Sequence, residues 1–249
     1  MDDRRPPRLY LTARLAHGGA VEPEAGQVHY LRSVLRLGAG AAVATFNETD
    51  GEWLCRVAEI GKGGARLTVD RQLRPPEREP DLWLVFAPIK RARLDWLIEK
   101  ATELGVSVLL PVWTARTQVG RVNLERLRAH AIEAAEQSER LSVPELRAPE
   151  PLERILAAWP AGRRLLICDE SGAGAPISEV AAKLPPGPMA LLVGPEGGFD
   201  ETELDAVGKL SFVTRIGLGP RVLRAETATL AAVAVFQAIA GDWRRIRTR

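Results

Sequence analysis

The segment Leu73-Arg74-Pro75-Pro76-Glu77-Arg78-Glu79-Pro80 divides this chain into two parts with different patterns. Three prolines and alternating charges exclude a helix interior and a central strand there. Residues 74–80 read as a linker, with one domain over 1–73 and another over 81–249. Before the linker the strands are short and closely spaced: Ala42–Phe46, Glu52–Ile60 and Ala65–Arg71. Turn signals at Asn47–Gly51 and Gly61-Lys62-Gly63-Gly64 separate them, which predicts a small barrel. His29–Leu37 reads as one or two helical turns stopped by Gly38.

Beyond the linker, apolar runs alternate with helices. The predicted strands are Leu82–Ala87, Val106–Pro111, Arg164–Cys168, Ala190–Val193 and Phe212–Ile216. Helices are predicted near Arg91–Leu104, Leu124–Glu139, Leu152–Ala158 and Ser178–Leu184, with a fifth capped by Asp200. The last, about Glu226–Ala240, is almost wholly Ala, Val, Leu and Ile. A helix apolar on every side is expected to be buried on every side, under the sheet or at a subunit interface. This alternation predicts a mostly parallel α/β sheet covered on both faces.

Composition excludes several classes. Nearly half of the 249 residues are hydrophobic and the formal net charge is +2, an ordinary globular balance and not a disordered one. Two distant cysteines, Cys55 and Cys168, do not make a disulfide framework, and three histidines do not make a His-rich metal site. No apolar run approaches membrane-spanning length, and the first thirty residues lack a signal-peptide core, so a cytoplasmic location is expected, with no membrane and no metal partner. Arginine supplies 29 of the 34 basic residues. Genomic base composition explains such a bias, and so does phosphate contact. Arg4, Arg5, Arg8, Arg14, Arg32 and Arg36 crowd the first segment, and Arg244, Arg245, Arg247 and Arg249 form a basic tail, a pattern that suits nucleic acid.

The chemistry is expected in two glycine-rich stretches, Leu191–Phe199 and Leu218–Ala228. Each follows a predicted strand and leads into a predicted helix, the position where open α/β sheets bind ligands. Gly194 ends the strand, Pro195 rigidifies the turn and Gly197-Gly198 expose backbone amides, and Ile216-Gly217-Leu218-Gly219-Pro220 repeats that logic. Neither stretch is a dinucleotide fingerprint or a P-loop. Arg221, Arg224 and Glu226 crowd the entry to the last helix. A carboxylate in a first helical turn is favoured by the helix dipole, which also makes it a poor base. An arginine beside a ligand loop commonly stabilises an anion.

Taken together, these segments resemble the ribosomal RNA small subunit methyltransferase E family, the uracil-N3 methyltransferases of 16S ribosomal RNA in the SPOUT superfamily. The matching residues are His29–Arg36, Lys90 with Asp95, Glu99–Val106, Ala134–Ser138 with Arg140 and Pro144, Gly194–Gly198, and Leu218–Thr227. The resemblance implies a PUA-like β-barrel domain for RNA, followed by an α/β trefoil-knot methyltransferase domain. Knots are nearly unknown in proteins, so the topology comes from the resemblance alone. It also implies a homodimer and S-adenosyl-L-methionine as methyl donor.

By carry-over, Leu192, Gly194, Pro195, Glu196, Gly197, Gly198, Ile216, Gly217, Leu218, Gly219, Leu223 and Thr227 would surround that donor, with Leu192 and Leu218 on either side of adenine. Asp169–Gly174 departs from the family pattern and receives no role. Arg224 would stabilise negative charge on the uracil, and Glu226 would orient Arg224 or the base, or relay the proton. Arg8, Arg32, Arg36, Lys90, Arg91 and Arg93 are the candidate phosphate contacts. The implied target is the uridine numbered 1498 in the family. A SPOUT enzyme on transfer RNA or the large ribosomal subunit, a non-catalytic assembly factor with a vestigial pocket, and a nucleotide-dependent oxidoreductase are the competing readings.

Overall fold

The computed structural model describes residues 5–77 and 79–244. Arg4, and Arg245, Arg247 and Arg249 of the tail, lie outside the described residues. Among those described, the chain separates into two compact units: residues 5–77 with Ala135–Val143, and Glu79–Ala134 with residues 144–244.

The first unit contains β1 (Arg8–Tyr10), β2 (Ala20–Val21), α1 (Ala25–His29), β3 (Ala42–Asn47), β4 (Gly51–Gly61) and β5 (Gly64–Arg74). Its five strands run in the order β1-β3-β4-β5-β2; β1 pairs with β3 in parallel and the other pairs are antiparallel. Alternate residues point inward. Cys55 and Val57 on β4 and Leu67 and Val69 on β5 meet Val43 and Leu31 in one core. Strand β5 takes in Arg74, so the strand pattern runs one residue into the predicted linker.

The helical turn differs from its predicted bounds. It starts at Ala25 because Glu24 and Gln27 form a reciprocal capping box, with the Glu24 amide donating to Gln27 Oε1 at 3.0 Å. It then widens over Tyr30–Val34, where the Leu35 amide donates to the Tyr30 carbonyl at 3.0 Å, an i to i+5 spacing.

Arg8 is not a phosphate contact. Its side chain is 12% exposed, and its donors are taken within this unit. Nε meets Glu52 Oε1 at 2.6 Å, Nη1 donates to the carbonyls of Ala135 and Glu136 at 2.8 Å, and Nη2 to that of Arg140 at 2.6 Å. The guanidinium satisfies carbonyls at a helix C-terminus, where such groups lack intrahelical partners. Burial works against the charge of Glu52, but Arg74 and Arg8 outweigh it and hold the carboxyl below its ordinary value.

The second unit contains β6 (Leu82–Phe86), α2 (Arg91–Glu103), β7 (Val108–Trp113), α3 (Leu124–Gln137, its last turn counted with the first unit), β8 (Glu145–Leu146), β9 (Glu150–Pro151), α4 (Leu152–Ala157), β10 (Arg164–Cys168), β11 (Ala175–Pro176), α5 (Ile177–Lys183), β12 (Met189–Val193), α6 (Glu201–Gly208), β13 (Val213–Gly217) and α7 (Ala225–Ile239). The sheet order is β11-β13-β10-β12-β6-β7-β8, with β9 beside β7, and every pairing is parallel. Strands β6, β7, β10 and β12 are almost wholly apolar, as a sheet covered on both faces requires, whereas β13 carries Thr214 and Arg215 and buries only Ile216. Trp83, Val85, Leu110, Leu165, Ile167 and Leu192 pack with Leu204 and Val207 of α6 on one face. Helix α7 packs against α2, α5 and β12.

Helix α7 is not buried all round within one chain. Ala225, Glu226, Thr229, Ala232, Val233, Phe236 and Gln237 are buried, whereas Leu230, Ala231, Ala234 and Val235 form a half-buried apolar stripe. Gln237 is satisfied by donating to the Leu104 carbonyl at 2.7 Å and accepting from the Asp242 amide at 3.2 Å.

Candidate active site

Three strand ends converge on one cavity of about 440 Å³. After β10 it is lined by Cys168–Glu170, Gly172 and Gly174; after β12 by Gly194–Glu196 and Gly198; after β13 by Gly217–Leu223, with Ala225 and Ala228 of α7 behind them. That volume lies in the usual range for small-molecule sites, and the position is the carboxyl edge of a parallel sheet.

Of the expected donor contacts, Gly194, Pro195, Glu196, Gly198, Gly217, Leu218, Gly219 and Leu223 line the cavity. Leu192 does not. Side chains alternate along β12, so Leu192 points into the α6 face while Val193 faces the cavity. Ile216 is fully buried and contributes its carbonyl to the Asp169 amide at 2.9 Å. Gly197 and Thr227 are exposed and lie outside the cavity lining.

The segment left without a role, Asp169–Gly174, forms a full wall of the cavity. Its signal was present in the sequence: a third apolar strand ending in Ser171-Gly-Ala-Gly174. Gly174 is required because a Cβ there would run into the backbone of Ile216 and Gly217. Asp169 anchors the wall through Arg215 Nε at 2.8 Å and the Ser171 amide at 2.8 Å. Burial opposes the charge of Asp169, but Ser171 and Arg215 outweigh that cost and hold the carboxyl below its ordinary value. Burial, with Glu170 nearby, pushes the Cys168 thiol up to about 12, so it lines the cavity as a neutral group.

Glu170 joins two of the walls. Its Oε1 accepts the Phe199 amide at 2.8 Å. Gly198 has φ +68°, and a Cβ there would collide with the Glu170 carboxylate, so only glycine combines that backbone with that neighbour. The same loop is braced from outside. Glu196 Oε1 accepts the Lys90 amide at 3.3 Å, and Arg116 reaches the Gly197 carbonyl and Asp200 Oδ2, each at 3.3 Å.

The two expected catalytic residues are not paired with each other. Arg224 is the N-cap of α7 and its side chain is exposed. Glu226 is buried and faces Arg93 of α2, with Nε 3.4 Å from Oε1. Its Oε2 is buried without a hydrogen-bond partner. A buried acceptor left unmade is costly and marks a position where an incoming donor would be favoured.

The other basic candidates divide by unit. Arg32 lies in the widened turn of the first unit, and Arg36 just beyond its end. Lys90 and Arg91 are exposed at the start of α2, whose first turn has no acidic residue although the helix dipole favours one there. Among the described residues, no group of three His, Cys, Asp or Glu is arranged to hold a metal ion.

The RNA methyltransferase domain family matches residues 76–237, and the RNA methyltransferase PUA domain family matches residues 24–70. The ribosomal RNA small subunit methyltransferase E of Rickettsia conorii is 35% identical over 229 residues, covering 91% of this chain and 93% of that protein. The structure of the enzyme of that name from Neisseria gonorrhoeae, bound to S-adenosyl methionine, superposes with a TM-score of 0.87 at 28% identity, covering 96% of this chain and all of that one. A Legionella pneumophila protein in complex with the bound cofactor SAM gives 0.83 at 27% identity, covering 94% and 98%. The first unit is therefore PUA-like, and the second is an α/β methyltransferase fold of the SPOUT kind. The chain belongs to the ribosomal RNA small subunit methyltransferase E family.

Proposed function

We propose that this protein transfers a methyl group from S-adenosyl-L-methionine to N3 of one uridine in 16S ribosomal RNA, the position numbered 1498 in the family. One observation carries the reading: three glycine-rich strand ends close on a single cavity lined by Leu223 and Ala225, and Arg224 and the buried Glu226, themselves outside that lining, sit at the start of α7 beside those residues. The walls suit the donor. Gly198 and Gly174 leave space a Cβ would fill, Val193 and Leu218 offer apolar surface for a flat ring, and Glu170 offers carboxylate oxygen.

When bound, the donor supplies an electrophilic methyl group. The chain's own residues must then position the base and assist loss of its N3 proton. Arg224 is free to reach the uracil carbonyls, where a guanidinium would stabilise the negative charge left on O2 or O4. Glu226 does not orient Arg224. It holds Arg93, and its second oxygen, buried and without a partner, would accept a hydrogen bond from the base or the proton from N3 once the RNA opens a path to it. A paired uridine cannot reach such a pocket, so the target base is splayed out of its RNA.

Arg32, Arg36, Lys90 and Arg91 are the proposed phosphate contacts, and Arg93 serves Glu226 first. The proposed domains are 1–73 and 81–249, with the RNA-gripping barrel first. The half-buried stripe Leu230, Ala231, Ala234 and Val235 supports a homodimer that covers it. No helix among the described residues is long and apolar enough to cross a membrane, in keeping with a cytoplasmic site of action.

Mass spectrometry of nucleosides from 16S RNA, incubated with the protein and methyl-labelled donor, tests the reading. Label in 3-methyluridine is expected. Label in another nucleoside, or none, would overturn it.

A further inference from the structure

Four observations fall on one small region of the first unit. A cleft of about 270 Å³ lies beside α1, lined by the side chains of Glu22, His29, Arg32 and Lys62 and by the backbone of Gly63 and Gly64. Tyr30 and Val34 stand out from the same turn, 38% and 59% exposed. The turn is wound wide over Tyr30–Val34, a form that recurs at functional sites. Arg36, just past its end, has φ +54°, a left-handed backbone that a long side chain rarely adopts.

An exposed ring on the turn that supplies His29 and Arg32 to a cleft also holding Lys62 brings together the two features that bind unpaired nucleic acid, a stacking face and a phosphate seat. The cleft is smaller than a typical small-molecule pocket, and the Arg32 and Lys62 side chains with the Gly63 and Gly64 backbone give it the donors a backbone phosphate needs. A protein partner would favour an apolar core depleted of charge at the same place.

We infer that this region is a grip for single-stranded RNA, in which Tyr30 stacks on one base while His29, Arg32 and Lys62 take the adjoining phosphodiester. The inference rests on the proposed RNA substrate and deepens it, since it assigns His29, Tyr30 and Lys62 and a mode of binding. It requires the RNA on this side of the target to be unpaired.

The test is binding of a labelled single-stranded oligouridylate to the full chain across a salt series. Tyr30→Ala is expected to weaken binding about 5- to 150-fold, the worth of one base–aromatic stack. Tyr30→Phe should stay within about twofold of the wild type because it keeps the ring. Lys62→Gln should reduce the slope of log affinity against log salt by about 0.7, one phosphate on a single strand. Donor affinity and melting temperature should not move, since the altered side chains are exposed. No binding by the wild type, wild-type affinity in Tyr30→Ala, or an unchanged salt slope in Lys62→Gln would overturn the grip. So would a Tyr30→Ala variant that keeps its RNA affinity and loses self-association, which would assign the surface to a protein. Methyl transfer to 16S RNA is measured in parallel: its failure in the wild type counts against the proposed function, whereas the oligonucleotide affinities alone decide this inference.

Discussion

The two glycine-rich loops that bound the cavity are built on opposite plans. The loop Gly194–Gly198 is held on three sides: by Glu170 through the Phe199 amide, by the Lys90 amide through Glu196, and by Arg116. The loop Leu218–Arg224 has no such bracing among the hydrogen bonds of the described residues, and Arg221, Val222 and Arg224 project into solvent, Val222 being 89% exposed. Under the proposed function the contrast would give the two loops different tasks. The first loop is a preformed seat, whose order is already present when a ligand arrives, which lowers the cost of binding. The second carries the exposed groups that must close over the ligand and meet the base, the usual assignment for a mobile element above a fixed one.

The largest effect should come from the second loop, and on rate alone. Arg224→Ala is expected to lower kcat by about 10²- to 10³-fold, the range for losing one transition-state charge donor, while donor Kd stays within twofold. Single-turnover methylation alongside calorimetry separates the two. An equal loss in donor affinity would erase the distinction between seat and closing loop.

Next should come the seat. Gly198→Ala forces a strained backbone and displaces Glu170, a cost of about 1–3 kcal/mol, or roughly 5- to 150-fold in donor affinity. Calorimetric titration reads this directly, and unaltered affinity would mean that Glu170 and the loop are not coupled. Arg116→Ala should cost less, about threefold, because its contacts are long and partly exposed.

The smallest effect concerns pH. The Asp169 carboxyl lies below its ordinary value in the folded chain. Its contribution to stability is therefore complete above the unfolded value, about 3.9, and is lost as pH falls through the lower folded value. Melting temperatures should show no loss from this group between neutral pH and about pH 5. Asp169→Asn should lower the melting temperature at pH 7 and make the acid limb shallower; an unchanged acid limb would remove Asp169 from the bracing of the first wall.

The same contrast governs what could be read from sequence. The parallel strands were legible because strands covered on both faces are continuous apolar runs between glycines and prolines, as at Arg164–Cys168, whose bounds agree to the residue. Short strands such as β8, β9 and β11 were not, because two residues carry no periodicity. Gly194–Gly198 and Leu218–Leu223 announced themselves through backbone-dominated composition. The Asp169–Gly174 wall carried the same signal, but its role depends on Arg215 and Phe199, distant in sequence. Arg8 shows the limit most clearly. A basic residue in a basic segment reads as a phosphate contact, and only the fold brings Glu52 and the carbonyls of Ala135, Glu136 and Arg140 around it. Leu192 was misplaced for a simpler reason: the parity of a strand is fixed by which face its neighbours cover, which one sequence does not state.

Hydrogen exchange with and without S-adenosyl-L-methionine tests the central claim most directly, because it reads both loops in one experiment. The account predicts that the amides of Gly198 and Phe199 are protected before the donor is added and change little, whereas those of Leu218–Arg224 exchange fast and slow sharply on binding. Fast exchange in both loops without donor, or protection gained by the first loop alone, would contradict it.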